Sequence, residues 1–201
     1  VPEFAPPFPP PGIFSPAHES DKGAGLPPRP LSIAGEEAAQ RQVRVNEKTK
    51  VILTVGRLVE RKNLAFAIAV TAELVKRGLP VYHVIAGEGP ERPRLERLVT
   101  ACGLGGRVLF AGRVPDADLP GLFAAADLFL LTSHYEALGI VLIEALAAGT
   151  PVLAPAVGGI PEIAALVGAA FRVIERRSLL TDWVQAVGNA LTAQKLSAGR
   201  A

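Results

Sequence analysis

Residues 132–162 read TSHYEALGIVLIEALAAGTPVLAPAVGGIPE. Two acids, Glu136 and Glu144, stand on either side of Gly139. An apolar run with helical spacing carries the second acid and stops at Gly149. Residues 150–154 then read as a buried strand, and Gly158-Gly159 as a turn. The unit is loop, helix, strand, loop. In a parallel sheet, ligands bind outside the carboxyl ends of the strands, where such loops gather.

The two acids set the chemistry. A helix as apolar as 139–148 is expected to be mostly buried, and an unpaired buried carboxylate is costly. Glu144 therefore either occupies one exposed stripe or faces a cleft. At 3.6 residues per turn it lies about one and a half turns into the helix, with Glu136 in the loop before it. Both acids can then face one cleft beside a helix N-terminus. That end offers free N–H groups and partial positive charge, an anion site. Two acceptor-only carboxylates beside an anion site suit a ligand that is part polyol and part phosphate. A nucleotide-sugar has that composition.

The spacing of Glu136 and Glu144 resembles the paired-glutamate signature of retaining glycosyltransferases with the GT-B architecture. Other stretches extend the likeness in order. They are Gly56-Arg57-Leu58 with Lys62-Asn63-Leu64, then Ala86-Gly87-Glu88-Gly89-Pro90, then Val108-Leu109-Phe110-Ala111-Gly112-Arg113-Val114. Gly149-Thr150-Pro151-Val152 and Gly158-Gly159-Ile160-Pro161-Glu162 complete it. The resemblance spans roughly residues 50–175 and is to the C-terminal, donor-binding half of the family-4-type group, also called glycosyl transferases group 1. It implies transfer of a hexose from a nucleoside-diphosphate sugar to an acceptor hydroxyl with retention.

The resemblance also implies roles. Arg57 and Lys62 would neutralise the departing diphosphate, and Glu136 would accept hydrogen bonds from sugar hydroxyls. These three form the candidate catalytic set. Glu144 would hold the ribose hydroxyls, and the backbone amides of Leu138 and Gly139 the sugar or phosphate. Gly112, Arg113 and Val114 either line the base pocket through backbone groups or form a plain turn. Gly87, Glu88 and Gly89 read as a tight loop, and His134 and Tyr135 as a wall or surface. The family usually has Gly where this chain has Ala137, and Phe where it has Leu138. The Ala137 methyl puts donor geometry at that point in question. There is no Asp-x-Asp pair and the three histidines are scattered, so no metal cofactor is expected.

Composition sets outer bounds. The 201 residues suffice for one domain with a sizeable core, and 49% hydrophobic with 20% charged residues is a globular mix. A net charge of +2 gives no basis for a nucleic-acid partner. Arg61-Lys62 and Arg176-Arg177 read as solvated surface. The single cysteine, Cys102, excludes an internal disulfide and points to a cytoplasmic protein, with a structural role for that thiol. No signal segment and no apolar run long enough for a spanning helix is present. With no methionine in the sequence, Val1 is not an ordinary translation start. The chain is therefore expected to be an excerpt of a longer product, or to have a misassigned start.

Two segments are expected. In residues 1–48, ten of the eighteen prolines fall within the first thirty positions, which reads as linker or irregular chain with a short polar helix over 36–45. Residues 49–195 read as a Rossmann-like α/β domain. Strands are expected at 51–55, 81–86, 108–111, 127–131, 151–154 and 170–174. Helices are expected at 61–77, 91–102, 117–125, 139–148, 160–166 and 178–192, the last with Ser178 as N-cap and Trp183 as a packing anchor. The alternation predicts a doubly wound, six-stranded parallel sheet.

Three functional readings stand together. The first is the donor half of a glycosyltransferase, active only weakly or not at all by itself. Its partners would be the nucleotide-sugar and an N-terminal acceptor half or partner chain, through which peripheral membrane contact is open. The second is a non-catalytic nucleotide-sugar-binding or partner domain. The third is an epimerase or phosphorylase of the same architecture.

Overall fold

The computed structural model describes residues 29–31, 43–45, 48–175 and 177–192. Two short strands, β1 (Arg29–Leu31) and β2 (Val43–Val45), pair antiparallel with Arg29 opposite Val45. The helix expected over 36–45 thus gives way, at its C-terminal end, to a strand. Val43-Arg44-Val45 alternates β-branched and polar side chains, which suits a pleated ribbon better than a helical turn. Positions 36–42 of that expectation lie outside the described residues.

The main body is one parallel sheet of six strands: β3 (Lys50–Val55), β4 (Val81–Ala86), β5 (Val108–Gly112), β6 (Leu128–Leu130), β7 (Val152–Pro155) and β8 (Phe171–Ile174). Their order is β5-β4-β3-β6-β7-β8. The chain therefore runs outward from β3 to one edge, returns to the other side of β3, and runs outward again. β3 and β6 flank the switch point, where an open α/β sheet leaves a crevice at its carboxyl edge.

Six helices cover the sheet: α1 (Leu64–Lys76), α2 (Arg92–Ala101), α3 (Leu119–Ala125), α4 (Ile140–Ala147), α5 (Ile160–Val167) and α6 (Leu180–Thr192). Alternate strand residues feed opposite faces, as the pleat requires. Val51, Leu53, Phe129, Val152 and Ala154 pack with Leu122 and Phe123 of α3, Leu142 and Ala145 of α4 and Ile160 of α5. On the other face Ile52, Leu128, Leu130 and Leu153 meet Ala67, Val70 and Leu74 of α1 and Trp183, Val184 and Val187 of α6. Trp183 is the anchor expected, its ring edge-to-face with Phe66 at 5.6 Å. Helix α2 closes the edge through Leu95 and Val99 against Ile85 and Leu104.

One polar knot sits inside this core. His83 of β4 is wholly buried, with Nε2 3.0 Å from Thr54 Oγ1 of β3 and Nδ1 2.8 Å from Thr71 Oγ1 of α1. The threonine hydroxyls also reach the Leu130 and Ala67 carbonyls, at 2.8 and 2.9 Å. Burial without a counter-charge lowers the His83 pKa to about 3, so the ring is neutral and has one N–H. The ring N–H donates to one threonine, whose own hydrogen goes on to its carbonyl, while the single hydrogen of the other threonine is shared between its carbonyl and the acceptor ring nitrogen.

Three element starts differ from expectation by two residues or more. The helix expected from Arg61 begins at Leu64, because Glu60–Lys62 forms a separate 3-10 turn and Asn63 takes a left-handed conformation, φ 51°. The helix expected from Ala117 begins at Leu119. Ser178 is not the N-cap of α6. The Leu179 N–H is held by Asp182 Oδ2 at 2.8 Å, the backward-reaching half of a capping box, which puts the cap at Leu179.

Candidate functional site

Three strand-end loops on the carboxyl edge form the floor of a cleft, and backbone bonds stitch them together. The Gly56 N–H donates to the Ala86 carbonyl at 2.9 Å, Leu58 N–H to Glu88 at 2.9 Å, and Gly87 N–H to Gly112 at 2.7 Å. A Cβ on Gly87 would stand 2.0 Å from the Gly56 carbonyl oxygen, so the first two loops can lie this close only at a glycine. In β5 a register irregularity precedes Gly112, pairing Ala86 with Gly112 rather than Ala111. Such bulges re-aim the residues that follow. Here those are Arg113 and Val114.

The β6–α4 loop supplies the second wall. The β7–α5 turn buttresses it from behind: a Cβ on Gly158 would fall 1.7 Å from the Glu136 carbonyl oxygen, and Gly158 itself has φ +55°. The Gly159 N–H donates to the Ala137 carbonyl at 3.3 Å. Glu136 is thus held through its backbone by Gly158 and Gly159, the two glycines of the expected turn.

Between these walls lies a hollow of about 470 Å³, within the roughly 300–1,000 Å³ of small-molecule sites. Arg57, Lys62, Glu136, Leu138, Gly139 and Glu144 all line it. The expected catalytic set and the α4 ligands are therefore brought together, although Arg57 and Glu144 are 87 positions apart in the chain. A second hollow of about 480 Å³ adjoins it, sharing Val55, Gly56 and Arg57, and takes in Gly87, Glu88, Arg113 and Val114. Gly112 does not line it. Its carbonyl is spent on Gly87, so it shapes the loop instead. Gly87 and Glu88, read as a tight loop, both reach the cleft wall.

Two findings depart from the sequence reading. Of the Arg61-Lys62 pair, Arg61 is exposed as expected but Lys62 is not solvated. Lys62 Nζ lies 2.6 Å from Glu136 Oε2, and the two side chains are only 11% and 13% exposed. Lys62 approaches the cleft from a 3-10 turn whose carbonyls at Lys62 and Asn63 accept from the buried Thr132 hydroxyl, so its backbone is braced as well. Nor is α4 mostly buried. Only Leu142 and Ala145 are buried, while Ile140 is 62% and Ile143 45% exposed. Glu144 shares that open stripe, so both alternatives for it hold: it is on an exposed stripe, and that stripe borders the cleft.

Among the described residues, Arg57, Arg113, Asp116 and Glu144 have no side-chain hydrogen-bond or ion-pair partner. Glu88 is engaged, 2.6 Å from Arg92 Nη1. The first hollow therefore presents a free cation, Arg57, and a free carboxylate, Glu144, beside the N-terminus of α4, where unpaired N–H groups favour negative charge, and the adjoining hollow presents Arg113 and Asp116. Such a surface can bind phosphate oxygens at one end and hydroxyl donors at the other. Sequence reasoning missed Asp116, which stands just before the helix expected over 117–125. The only signal was its position two residues beyond Val114 on the same strand-end loop.

A Rossmann-ordered parallel sheet with a cleft at its switch point is the α/β architecture of GT-B glycosyltransferases. The structure superposes on that of WaaG, a glycosyltransferase involved in lipopolysaccharide biosynthesis, with TM-score 0.64, 30% identity and coverage of 74% of this chain and 40% of that one. It also matches Anabaena Alr3699/HepE, solved in complex with UDP, with TM-score 0.62, 27% identity and coverage of 72% and 39%. The chain belongs to the family described as Glycosyl transferases group 1, whose model matches residues 35–178. Among curated relatives, alpha-D-kanosaminyltransferase of Streptomyces kanamyceticus is 38% identical over 113 residues, 56% of this chain and 29% of that protein. The chain thus spans well under half the length of these three proteins. Among the described residues no helix is long and apolar enough to cross a membrane.

Proposed function

We propose that this chain is the donor-binding half of a retaining glycosyltransferase that uses a nucleoside-diphosphate sugar. The observation that carries the reading is the convergence of Arg57, Lys62, Glu136 and Glu144 on one hollow beside the N-terminus of α4. In this reading the diphosphate rests between Arg57, Lys62 and the free amides of α4, and no metal is required. Glu144 takes the ribose hydroxyls, and Glu136 a hydroxyl of the sugar. The sugar C1–oxygen bond breaks with its electron pair leaving on the diphosphate, and the fixed cations stabilise that charge as it develops. The acceptor hydroxyl oxygen then bonds to C1 on the face that the diphosphate vacates, and its proton passes to the departing phosphate oxygen. The UDP seen in HepE supports a nucleoside diphosphate as the ligand type.

The acceptor site is assigned to chain beyond these residues, either an N-terminal half or a partner. The open apolar stripe of Ile140 and Ile143 beside the cleft suits contact with it. The 201-residue chain is accordingly expected to bind donor and to turn over little. The second reading, a non-catalytic nucleotide-sugar-binding domain, is favoured only by the 29–40% share of its relatives that the chain covers. Titrating a nucleoside diphosphate into isotope-labelled protein tests the binding step. Amide shifts clustered at Arg57, Gly139 and Glu144 are expected, and silence at millimolar ligand would sink both readings. Transfer by the isolated chain would contradict the assignment of the acceptor site elsewhere.

A further inference from the structure

We propose that Thr132 is a positioning residue for the cleft: its buried hydroxyl holds the turn that carries Lys62, and so fixes where the ammonium stands. The proposal rests on the donor-site reading above and adds to it a residue outside the site. Thr132 is buried and lines neither hollow. It acts through Lys62.

The turn is not a shape that its own sequence secures. Lys62 ends the 3-10 turn Glu60–Lys62, and Asn63 follows with φ 51° and ψ 42°. Asn63 is the one non-glycine residue with a positive φ among the described residues. A residue with a Cβ keeps that conformation where its surroundings impose it. The Asn63 side chain does not cap α1, so it does not secure the break itself. A chain without the break would carry Lys62 in the first turn of α1. The left-handed link turns it out of that helix.

The restraint comes from across the switch point. Three successive carbonyls of the turn accept hydrogen bonds from the loop that follows β6. Arg61 accepts from the His134 N–H at 2.8 Å. Lys62 and Asn63 accept from the Thr132 hydroxyl at 3.1 and 3.0 Å. The first bond is backbone to backbone and any non-proline residue would keep it. The other two share one hydroxyl hydrogen and depend on the Thr132 side chain. From this clasp the Lys62 stem passes Gly56, where a Cβ would stand 3.6 Å from Lys62 Cε. Its Nζ ends 2.6 Å from Glu136 Oε2. Thr132 and Glu136 belong to one loop, which therefore grips the lysine at both ends, by its backbone and by its charge. A cation fixed in this way has little freedom left to lose when it meets a phosphate oxygen.

The test is calorimetric titration of the 201-residue chain with inorganic pyrophosphate and with UDP. It is repeated on Thr132→Val and Thr132→Ser, each alone and combined with Lys62→Met, below the melting temperature of every variant. Thr132→Val keeps the shape and removes the hydrogen. It should weaken both probes about tenfold, the lower end of what a hydrogen bond to a charged group contributes. Thr132→Ser should bind as the unaltered chain does. With Lys62→Met in place, Thr132→Val should weaken binding no further, which a merely structural role would not predict. A second measurement needs no change at residue 132: before any probe is added, the Lys62 ammonium should give a distinct, slowly exchanging nitrogen-15 signal that Lys62→Met lacks. Unchanged affinity in Thr132→Val, an equal loss with and without Lys62, failure of serine to restore binding, or a missing ammonium signal would each overturn the proposal and leave the donor site standing. Failure of the unaltered chain to bind either probe at millimolar concentration would remove the donor site and this proposal together.

Discussion

Replacing Lys62 by Met and Glu136 by Gln, singly and together, probes the contact on which the cleft depends. The Nζ to Oε2 distance is 2.6 Å and both side chains are almost closed to solvent. At an effective dielectric constant of about 20 the bare attraction over that distance is roughly 6 kcal/mol. Desolvation of the two ions offsets several kcal/mol of it. What remains is expected to resemble a charge-assisted hydrogen bond, about 2 kcal/mol. Each single variant strands a largely buried charge and should lose about 2–3 kcal/mol, or roughly 4–12 °C in melting temperature for a domain of this size. The double variant strands neither charge, so its loss should fall short of the sum by about 2 kcal/mol. Urea unfolding of all four proteins measures this coupling. It should persist in high salt, since the pair is shielded from mobile ions. A coupling below about 0.5 kcal/mol, the level of an exposed pair, would refute the claim that the pair is formed and buried. The cycle also bears on function. Lysine has three donors, so Lys62 can keep Glu136 while a second N–H meets a phosphate oxygen.

Other perturbations test the frame around the cleft. Gly158→Ala places a Cβ where the Glu136 carbonyl stands and forces a left-handed φ on alanine. Thermal unfolding should show a loss of at least about 2 kcal/mol, whereas Gly105→Ala, with no neighbour within 4 Å, should change little. His83 should make stability depend on pH. Its folded pKa, about 3, lies below the unfolded 6.5, so below pH 6.5 the unfolded chain binds a proton that the native chain refuses. Stability should therefore fall as pH drops from 6.5 towards 3, by up to about 1.4 kcal/mol per unit, and the difference curve against His83→Gln isolates the effect. A flat difference curve would mean that the ring is charged inside the core. Burial pushes the Cys102 thiol up, so alkylation at neutral pH should be slow in the native protein and fast in urea.

Much of this protein is decided locally and can be read along the chain. Short β-branched runs such as 51–55 bounded by glycine make buried parallel strands wherever they are placed. The period-3.6 apolar pattern of 64–76 makes a helix, with its end at Gly78. The strand-end motifs, in order, carry the family and so the sheet. The Arg57, Lys62, Glu136 and Glu144 set was legible because each residue follows a strand, and strand ends in such a sheet share one edge.

The tertiary structure decided what depends on which strands are neighbours. Lys62 and Glu136 are 74 residues apart, and only the placing of β6 beside β3 turns two expected ligands into an ion pair. The same adjacency, with β4 on the far side of β3, encloses His83 between Thr54 and Thr71, which no spacing announced. Asp116 stands in sequence just before the expected helix 117–125, and becomes a wall of the cleft only because the loop after β5 folds back beside Arg57. Helix α4 is apolar enough to be taken for core, yet the sheet covers only one side of it. Local propensity chooses the element, whereas burial and charge pairing are properties of distant surfaces that meet only when the chain has folded.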